Sequence, residues 1–256
     1  MAKKNKKNKS CFQKKKGKFF LFLESMVRFF YGKKEFVGLE NIPDEACVIV
    51  GNHSQIHGPL TAELLFPKKK YIWLIGHMMS AKEIPAYAME DFWPYKPKST
   101  RWFYKIVAHV IAPLFAYLHR NADGIGVYKD MRIMNTFKQS VTGLKEGAHI
   151  IIFPECHTPY NEIVNEFQDN FVDVARLYYK STGKEINFVP MYNAPKLKKV
   201  VFGKPIKYNA NAPVEEHKKE IRDELKQAIT NLAKELPVHT VVPYANIKKK
   251  DYPKSK

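Results

Sequence analysis

The run Cys47-Val48-Ile49-Val50-Gly51 is unbroken in its apolar character and then gives way at once to Asn52-His53-Ser54-Gln55-Ile56-His57-Gly58-Pro59. Val48, Ile49 and Val50 are β-branched, so the run predicts a short buried strand. Asn52 or Ser54 is placed to cap a helix expected over residues 60–66. His53 is thereby set at the carboxyl edge of a buried strand and beside a helix N-terminus, where open α/β sheets usually hold ligands. Little bulk water and several orienting backbone amides are expected there.

A second stretch repeats the layout: His149-Ile150-Ile151-Ile152 empties into Phe153-Pro154-Glu155-Cys156-His157. Together the two strands present His53, His57, Glu155 and His157. Further strands are predicted over residues 71–75, 124–128, 186–191 and 200–202. Helical spacing runs through Met131, Met134, Phe137, Val141 and Leu144, then through Phe167, Phe171, Val174, Ala175 and Tyr178, and then through Ile221, Leu225, Ile229 and Leu232. These spacings predict helices over 130–144, 165–179 and 213–236. Strands alternating with helices imply an α/β fold: a single layered domain over residues 35–246, with a mostly parallel or mixed central sheet flanked by helices. An aromatic loop through Phe92, Trp93 and Tyr95 offers either a wall for an apolar groove or ordinary aromatic packing.

The ends read differently. The formal net charge of +18 suggests nucleic acid until it is located. Residues 1–34 hold twelve Lys/Arg against Glu24, and residues 248–256 hold five Lys against Asp251, so the body between them is nearly neutral. No nucleic-acid recognition motif accompanies the charge, and no nucleic-acid partner is expected. Residues 1–18 form a Lys/Asn run that predicts a disordered basic tail, either solubilising or tethering to an anionic membrane. Residues 19–31 are dense in Phe, and at thirteen residues are too short to cross a bilayer. They suit an amphipathic helix lying in the membrane interface through residues 19–34, or one packed on the domain. Residues 102–118 are apolar but broken by Lys105, His109 and Pro113, which argues against a transmembrane span and for a buried or interfacial helix pair. Residues 247–256 form a basic C-terminal tail. Cys11, Cys47 and Cys156 show no paired or metal-like spacing, so neither a disulfide nor a structural zinc is expected. The charged-then-apolar start is like a signal peptide, yet no Ala-x-Ala-like site follows it. A peripheral location on the cytoplasmic face of a membrane is the expectation.

At these residues the chain resembles the glycerolipid acyltransferase family, whose best known members are the lysophosphatidate acyltransferases. Asn52-His53 resembles the family's first motif, Asn-His, four residues, then Asp. Phe153-Pro154-Glu155-Cys156-His157-Thr158 resembles its third, Phe-Pro-Glu-Gly-Thr-Arg, in the right order and at a fitting separation. Gly126-Val127-Tyr128-Lys129-Asp130 resembles the second motif, where a basic residue handles phosphate, and Val189-Pro190-Met191 the fourth, Val/Ile-Pro-Val. The resemblance runs from about Gly38 to Pro205. Three positions depart from it: Gly58 stands for the motif Asp, Thr158 for the phosphate-binding Arg and Cys156 for the motif Gly.

What the resemblance implies is acyl transfer from a thioester, acyl-CoA or acyl-carrier protein, to a hydroxyl of a lysophospholipid-like or other lipid acceptor, with His53 as general base and no further cofactor. Asn52, Lys129, Cys156, His157 and Thr158 are then the candidate substrate-contacting residues. Such a reaction needs a base, donors for the oxyanion and a dry slot for the chain. With Gly58 in place of Asp, the imidazole needs another orienting partner: Glu155 from the second strand, or a water held by His57, which shares a face with His53 if one helix carries both. Glu63 lies too far along the helix. The His53/His57 spacing lacks the Glu of His-Glu-x-x-His, so no metal is expected. Cys156 offers an alternative as an acyl-accepting thiol. Lys129, Arg120 or His157 offers charge to an acceptor where Thr158 does not. The contrasting reading is a catalytically lapsed relative that binds lipid or a partner on the same fold.

Overall fold

A computed structural model describes residues 16–93 and 96–255. Five strands lie parallel in the order β8 (Asn187–Ala194), β2 (Val48–Gly51), β5 (His149–Ile152), β3 (Lys70–Ile75) and β4 (Gly124–Val127). Beyond β8, β9 (Lys199–Phe202) runs antiparallel to it, and β1 (Glu35–Val37) pairs parallel with β9 at the edge. A short β10 (Ile206–Lys207) runs antiparallel to the start of β8. The sheet is therefore mixed and mostly parallel, and seven α-helices flank it among the described residues.

The apolar runs explain both layers. Val48, Val50, Ile150 and Ile152 face α5 (Ile133–Lys145), α6 (Asp173–Thr182) and α7 (Val214–Glu235), in a core that includes Phe137, Val174 and Ile221. Ile49, Ile151, Ile72 and Val189 face the other way, against Ala62 and Phe66 in and just after α2 (His57–Leu65). Strands covered on both faces read as continuous apolar runs, and each fully buried Ile or Val contributes roughly 1.5–3 kcal/mol over exposure. All five parallel strands end on one edge, where Gly51, Ile152 and Ile75 hand the chain to loops.

Several expectations are corrected. The helix after β2 begins at His57, with no side-chain cap, because Asn52 and Ser54 are used elsewhere. Residues 102–118 form no helix pair: α4 (Arg101–Asn121) is one helix through Pro113, whose missing N–H is tolerated on an exposed side. Residues 165–179 form no single helix. Asn161 Oδ1 accepts the amides of Ile163 and Val164, at 3.1 and 2.8 Å, and this turn folds β6 (Glu155–Tyr160) back on β7 (Asn165–Phe167). Helix α6 starts only at Asp173.

The aromatic loop is largely helical, as the short α3 (Ile84–Tyr87) and a wide turn over Ala88–Phe92; Tyr95 lies outside the described residues. Of the expected basic tail, residues 1–15 lie outside the described residues, whereas Lys16 pairs with Glu63 at 3.0 Å and Asp123 at 3.2 Å. Helix α1 (Lys18–Tyr31) follows it at once. The basic C-terminal segment is docked on the body: the Val241 amide donates to Pro253 O, the Ser255 amide to His239 O, and Ser255 is buried.

Candidate active site

His53 follows β2 at the carboxyl edge, between the rings of Phe153 (5.6 Å between centroids) and Tyr244 (5.2 Å), both edge-on. Its Nδ1 is buried and makes no hydrogen bond among the described residues. Burial pushes the imidazole down to about 4, against the opposing pull of the Gln55 backbone and the Asp91 carboxylate. At neutral pH the ring is therefore uncharged.

Glu155, on the first residue of β6, touches His53, although through the main chain: Oε2 accepts the His53 amide at 2.7 Å and Oε1 the Asn165 amide at 3.0 Å. Pairing of this carboxylate with the imidazole, expected from sequence, is not what the structure shows. Its pKa is pushed up to about 7 by burial, with the two backbone donors opposing. Glu155 thus ties the loop after β2 to the β6–β7 hairpin and fixes the height of His53 above the sheet.

The loop itself is strained. Ser54 and Gln55 both take left-handed backbone, φ 47° and 55°, which costs an L-residue roughly 1–2 kcal/mol each. Three sets of contacts hold it. Asn52 Oδ1 accepts the Asn193 amide at 2.6 Å, while its Nδ2 donates to Ser54 Oγ at 2.7 Å and Asn193 O at 3.1 Å. Ser54 Oγ donates to Asn193 O at 3.3 Å. From the C-terminal segment, Tyr252 OH accepts Gln55 Nε2 at 2.8 Å. Asn52 therefore has its amide fully engaged in locking β2 to β8, which leaves none of it for a substrate.

His57 does not share the His53 site. Its ring stacks on Tyr31, whose hydroxyl lies 3.3 Å from Nδ1, beside Lys34. Lys34 donates to Tyr31 OH, Thr61 Oγ1 and Asn193 Oδ1 and is lowered to about 8 by burial. Burial, Lys34 and Lys196 all hold His57 below the usual histidine range.

Gly58, the second residue of α2, sits in a space that admits no side chain. A Cβ there would meet Asn52 O and His53 O at 2.7 Å and Phe153 Cε1 at 2.8 Å. The position of the motif carboxylate is filled by backbone and an aromatic ring. Glu63, the distant alternative, is bound to Lys16 and the Asp123 amide.

The remaining candidates are spread out. Lys129 is exposed after β4, an edge strand separated from β2 by β5 and β3. Arg120 lies on the last turn of α4, its Nε donating to Ala116 O. Thr158 is exposed on β6, and the side chain of His157 lies outside the described residues. Cys156 Sγ donates to Glu166 O at 3.1 Å, and burial followed by Glu166 raises its pKa, which disfavours the thiolate an acyl-accepting cysteine needs. No group of three or more metal-ligating side chains occurs among the described residues.

Residues that sequence reasoning missed complete the site. Asp91, on the wide turn after α3, accepts a hydrogen bond from Tyr87, and its charge reaches both His53 and Tyr244. The one local signal was the acidic pair Glu90-Asp91 beside the aromatic loop. Tyr244 and Tyr252 come from the C-terminal segment, where nothing in the sequence pointed to the site.

Fold and site define an α/β protein that carries a half-buried histidine, its Nδ1 shielded from solvent, at the carboxyl edge of its central strand. No protein-family model matches the chain, and no curated protein does. Among solved structures it is similar to the crystal structure of the 1-acyl-sn-glycerophosphate (LPA) acyltransferase PlsC from Thermotoga maritima. That likeness is 16% identity over 83% of this chain and 79% of that one, with a TM-score of 0.49.

Proposed function

We propose that this chain is a membrane-peripheral acyltransferase, moving a fatty acyl group from a thioester to the hydroxyl of a lipid acceptor with His53 as general base. The observation that carries the reading is the placement of His53, at the carboxyl edge of β2 with its main chain tied to Glu155. In the reaction the acceptor hydroxyl passes its proton to the imidazole as its oxygen bonds the thioester carbon. The C–S bond then breaks, and the imidazolium returns the proton to the departing thiolate. A positioned base of this kind is worth roughly 10²–10⁴ in rate.

Asp91 is the carboxylate that favours the charged imidazole in this reading, a smaller influence than burial and the Gln55 backbone. It is the acidic group whose charge acts on His53, and it stabilises the imidazolium where position 58 offers nothing. Phe153 and Tyr244 exclude water around the ring. Acyl-CoA or acyl-carrier protein serves as donor, and a lysophospholipid-like acceptor is held without the motif arginine. Helix α1 and the lysines before it bring the chain to an anionic membrane on its cytoplasmic face. The exposed Phe22, Phe29 and Phe30 support that placement.

A second reading, a lapsed enzyme that keeps the fold to bind lipid or a partner, is favoured by the two rings packed on His53 and by its unpartnered Nδ1. Lipid mass spectrometry of cells carrying either wild type or His53→Ala separates the two. The enzyme reading expects an acylated lipid pool that depends on His53, and identical lipid profiles would favour the lapsed form.

A further inference from the structure

Helix α4 is built inside out for a protein surrounded by water. Its small residues Ala108, Ala112 and Ala116, spaced four apart, are buried, the last two against Met78 and Ile84. Its bulky apolar residues point away from the body: Trp102 is 65% exposed, Ile106 53% and Val110 74%, with Phe103 and Leu114 also exposed. A surface helix in water buries its large apolar stripe and exposes its polar one. Alanines facing the protein with aromatics facing out is the arrangement of a helix whose outer solvent is lipid.

Charge identifies the occupant. Residues 96–121 contain Lys96, Lys98, Arg101, Lys105 and Arg120 and no Asp or Glu. Along α1 the one acidic residue, Glu24, is turned inward onto Lys16 and Arg28, with its side chain 12% exposed. The two helices meet: Phe19, on the exposed side of α1, packs its ring 5.7 Å from Tyr117 of α4. No helix among the described residues is long and apolar enough to cross a membrane. An apolar stripe with a purely basic rim fits an anionic bilayer surface, whereas a second copy of the same face would set like charges against each other.

We infer that α4 is a second membrane-embedding helix, and that α1 and α4 together dock the protein on an anionic bilayer. The inference rests on the membrane-peripheral reading above and extends it to a helix in the middle of the domain. It places the carboxyl-edge loops that follow α3, and with them Asp91, on the element that joins the bilayer-facing helix to the site.

The full chain is tested with vesicles of phosphatidylcholine and phosphatidylglycerol containing brominated acyl chains. In a Trp93→Phe background, used because Trp93 packs on Tyr104 of α4 itself, tryptophan quenching is expected to fall by more than half in Trp102→Phe, since Trp73 is bonded to Ser140 within the body. A triple variant, Ile106→Ser/Val110→Ser/Leu114→Ser, changes only exposed positions. It should melt like wild type and partition on the order of tenfold less into these vesicles. A matching α1 variant, Phe22→Ser/Phe29→Ser/Phe30→Ser, reads the other helix. Binding lost in the α1 variant alone, with α4 variants bound and quenched as wild type, would overturn the α4 inference and leave the α1 reading standing. Failure of the wild type to bind at all would overturn both, while hydrolysis of a soluble short-chain thioester reads the chemistry independently. Concentration-dependent dimers that vanish in the α4 triple variant would assign the face to a second copy instead.

Discussion

Gly58→Asp recreates the aspartate of the motif that this site resembles, and the structure predicts that it harms the protein. A Cβ at position 58 sits 2.7 Å from two main-chain oxygens, where ordinary contact begins at 3.4 Å. Those oxygens belong to Asn52 and His53, in a loop that is already strained and whose His53 carbonyl accepts the Gly58 amide at 2.9 Å. Backbone held this way cannot step aside, so the over-packing cost falls toward the upper end of about 1–3 kcal/mol. Gains in helix propensity and from a negative charge at a helix start return roughly 0.5–1 kcal/mol. The new carboxylate must also leave water beside the Phe153 ring, where the first amides of α2 already bond Ser54 O and His53 O, which adds about 1–3 kcal/mol. A net loss of about 3–5 kcal/mol follows, and at a urea m value of about 2–3 kcal/mol per molar the midpoint falls by about 1–2.5 M. Thioester turnover, measured as free thiol released, should drop with it because the His53 carbonyl moves. An unchanged urea midpoint together with faster turnover in Gly58→Asp would refute the reasoning and restore the missing aspartate as the site's only defect.

The pH dependence of stability follows from Glu155. With its folded pKa raised to about 7 from 4.5, this group contributes most below pH 4.5, and its contribution is lost as pH rises through 7. Glu155→Gln should therefore be less stable than wild type at pH 4.5, having lost one acceptor, and should close or reverse that gap by about 2–3 kcal/mol at pH 8. Urea titrations of both proteins at the two pH values check this, and a pH-independent difference would mean that the carboxylate is solvated. Asp91→Asn should leave the melting temperature within about 2 °C, since the residue is not in the core. It should lower thioester turnover by about tenfold or more with little change in KM, the signature of a group that acts on the charged imidazole. An equal loss in KM would make Asp91 a substrate contact.

The central sheet was legible in the sequence because β2, β5 and β9 are buried on both faces, and three or four consecutive β-branched or aromatic residues announce such strands without help from their neighbours. Helix α7 was legible for the same local reason, its Ile221, Leu225 and Ile229 recurring every four residues. What failed were places where a local pattern has two solutions. Phe167, Phe171 and Val174 are spaced as on a helix, yet the Asn161 turn and the amides given to Glu155 make the first of them a strand residue. Pro113 removes one i→i−4 hydrogen bond, yet α4 continues through it with the ring on an exposed side. The site was half legible. His53 and Glu155 were correctly brought together by their positions after two apolar strands, but Glu155 grips the His53 main chain rather than its ring, a distinction that rests on loop geometry. Asp91, Tyr244 and Tyr252 arrive from elements far away in the chain, and the docking of the C-terminal segment depends on contacts such as Ser255 with His239, which no periodicity encodes.

The central claim is that His53 is a general base for acyl transfer from a thioester. Purified full-length wild type and His53→Ala are incubated with a long-chain acyl-CoA and a lysophospholipid in mixed vesicles, and release of CoA thiol is followed alongside formation of the diacyl product. The account predicts stoichiometric thiol and product from wild type, with a rate reduced by about 10²–10⁴ in His53→Ala while its urea midpoint is kept or raised. Equal thiol release by the two proteins, in the presence of intact folding, would contradict it.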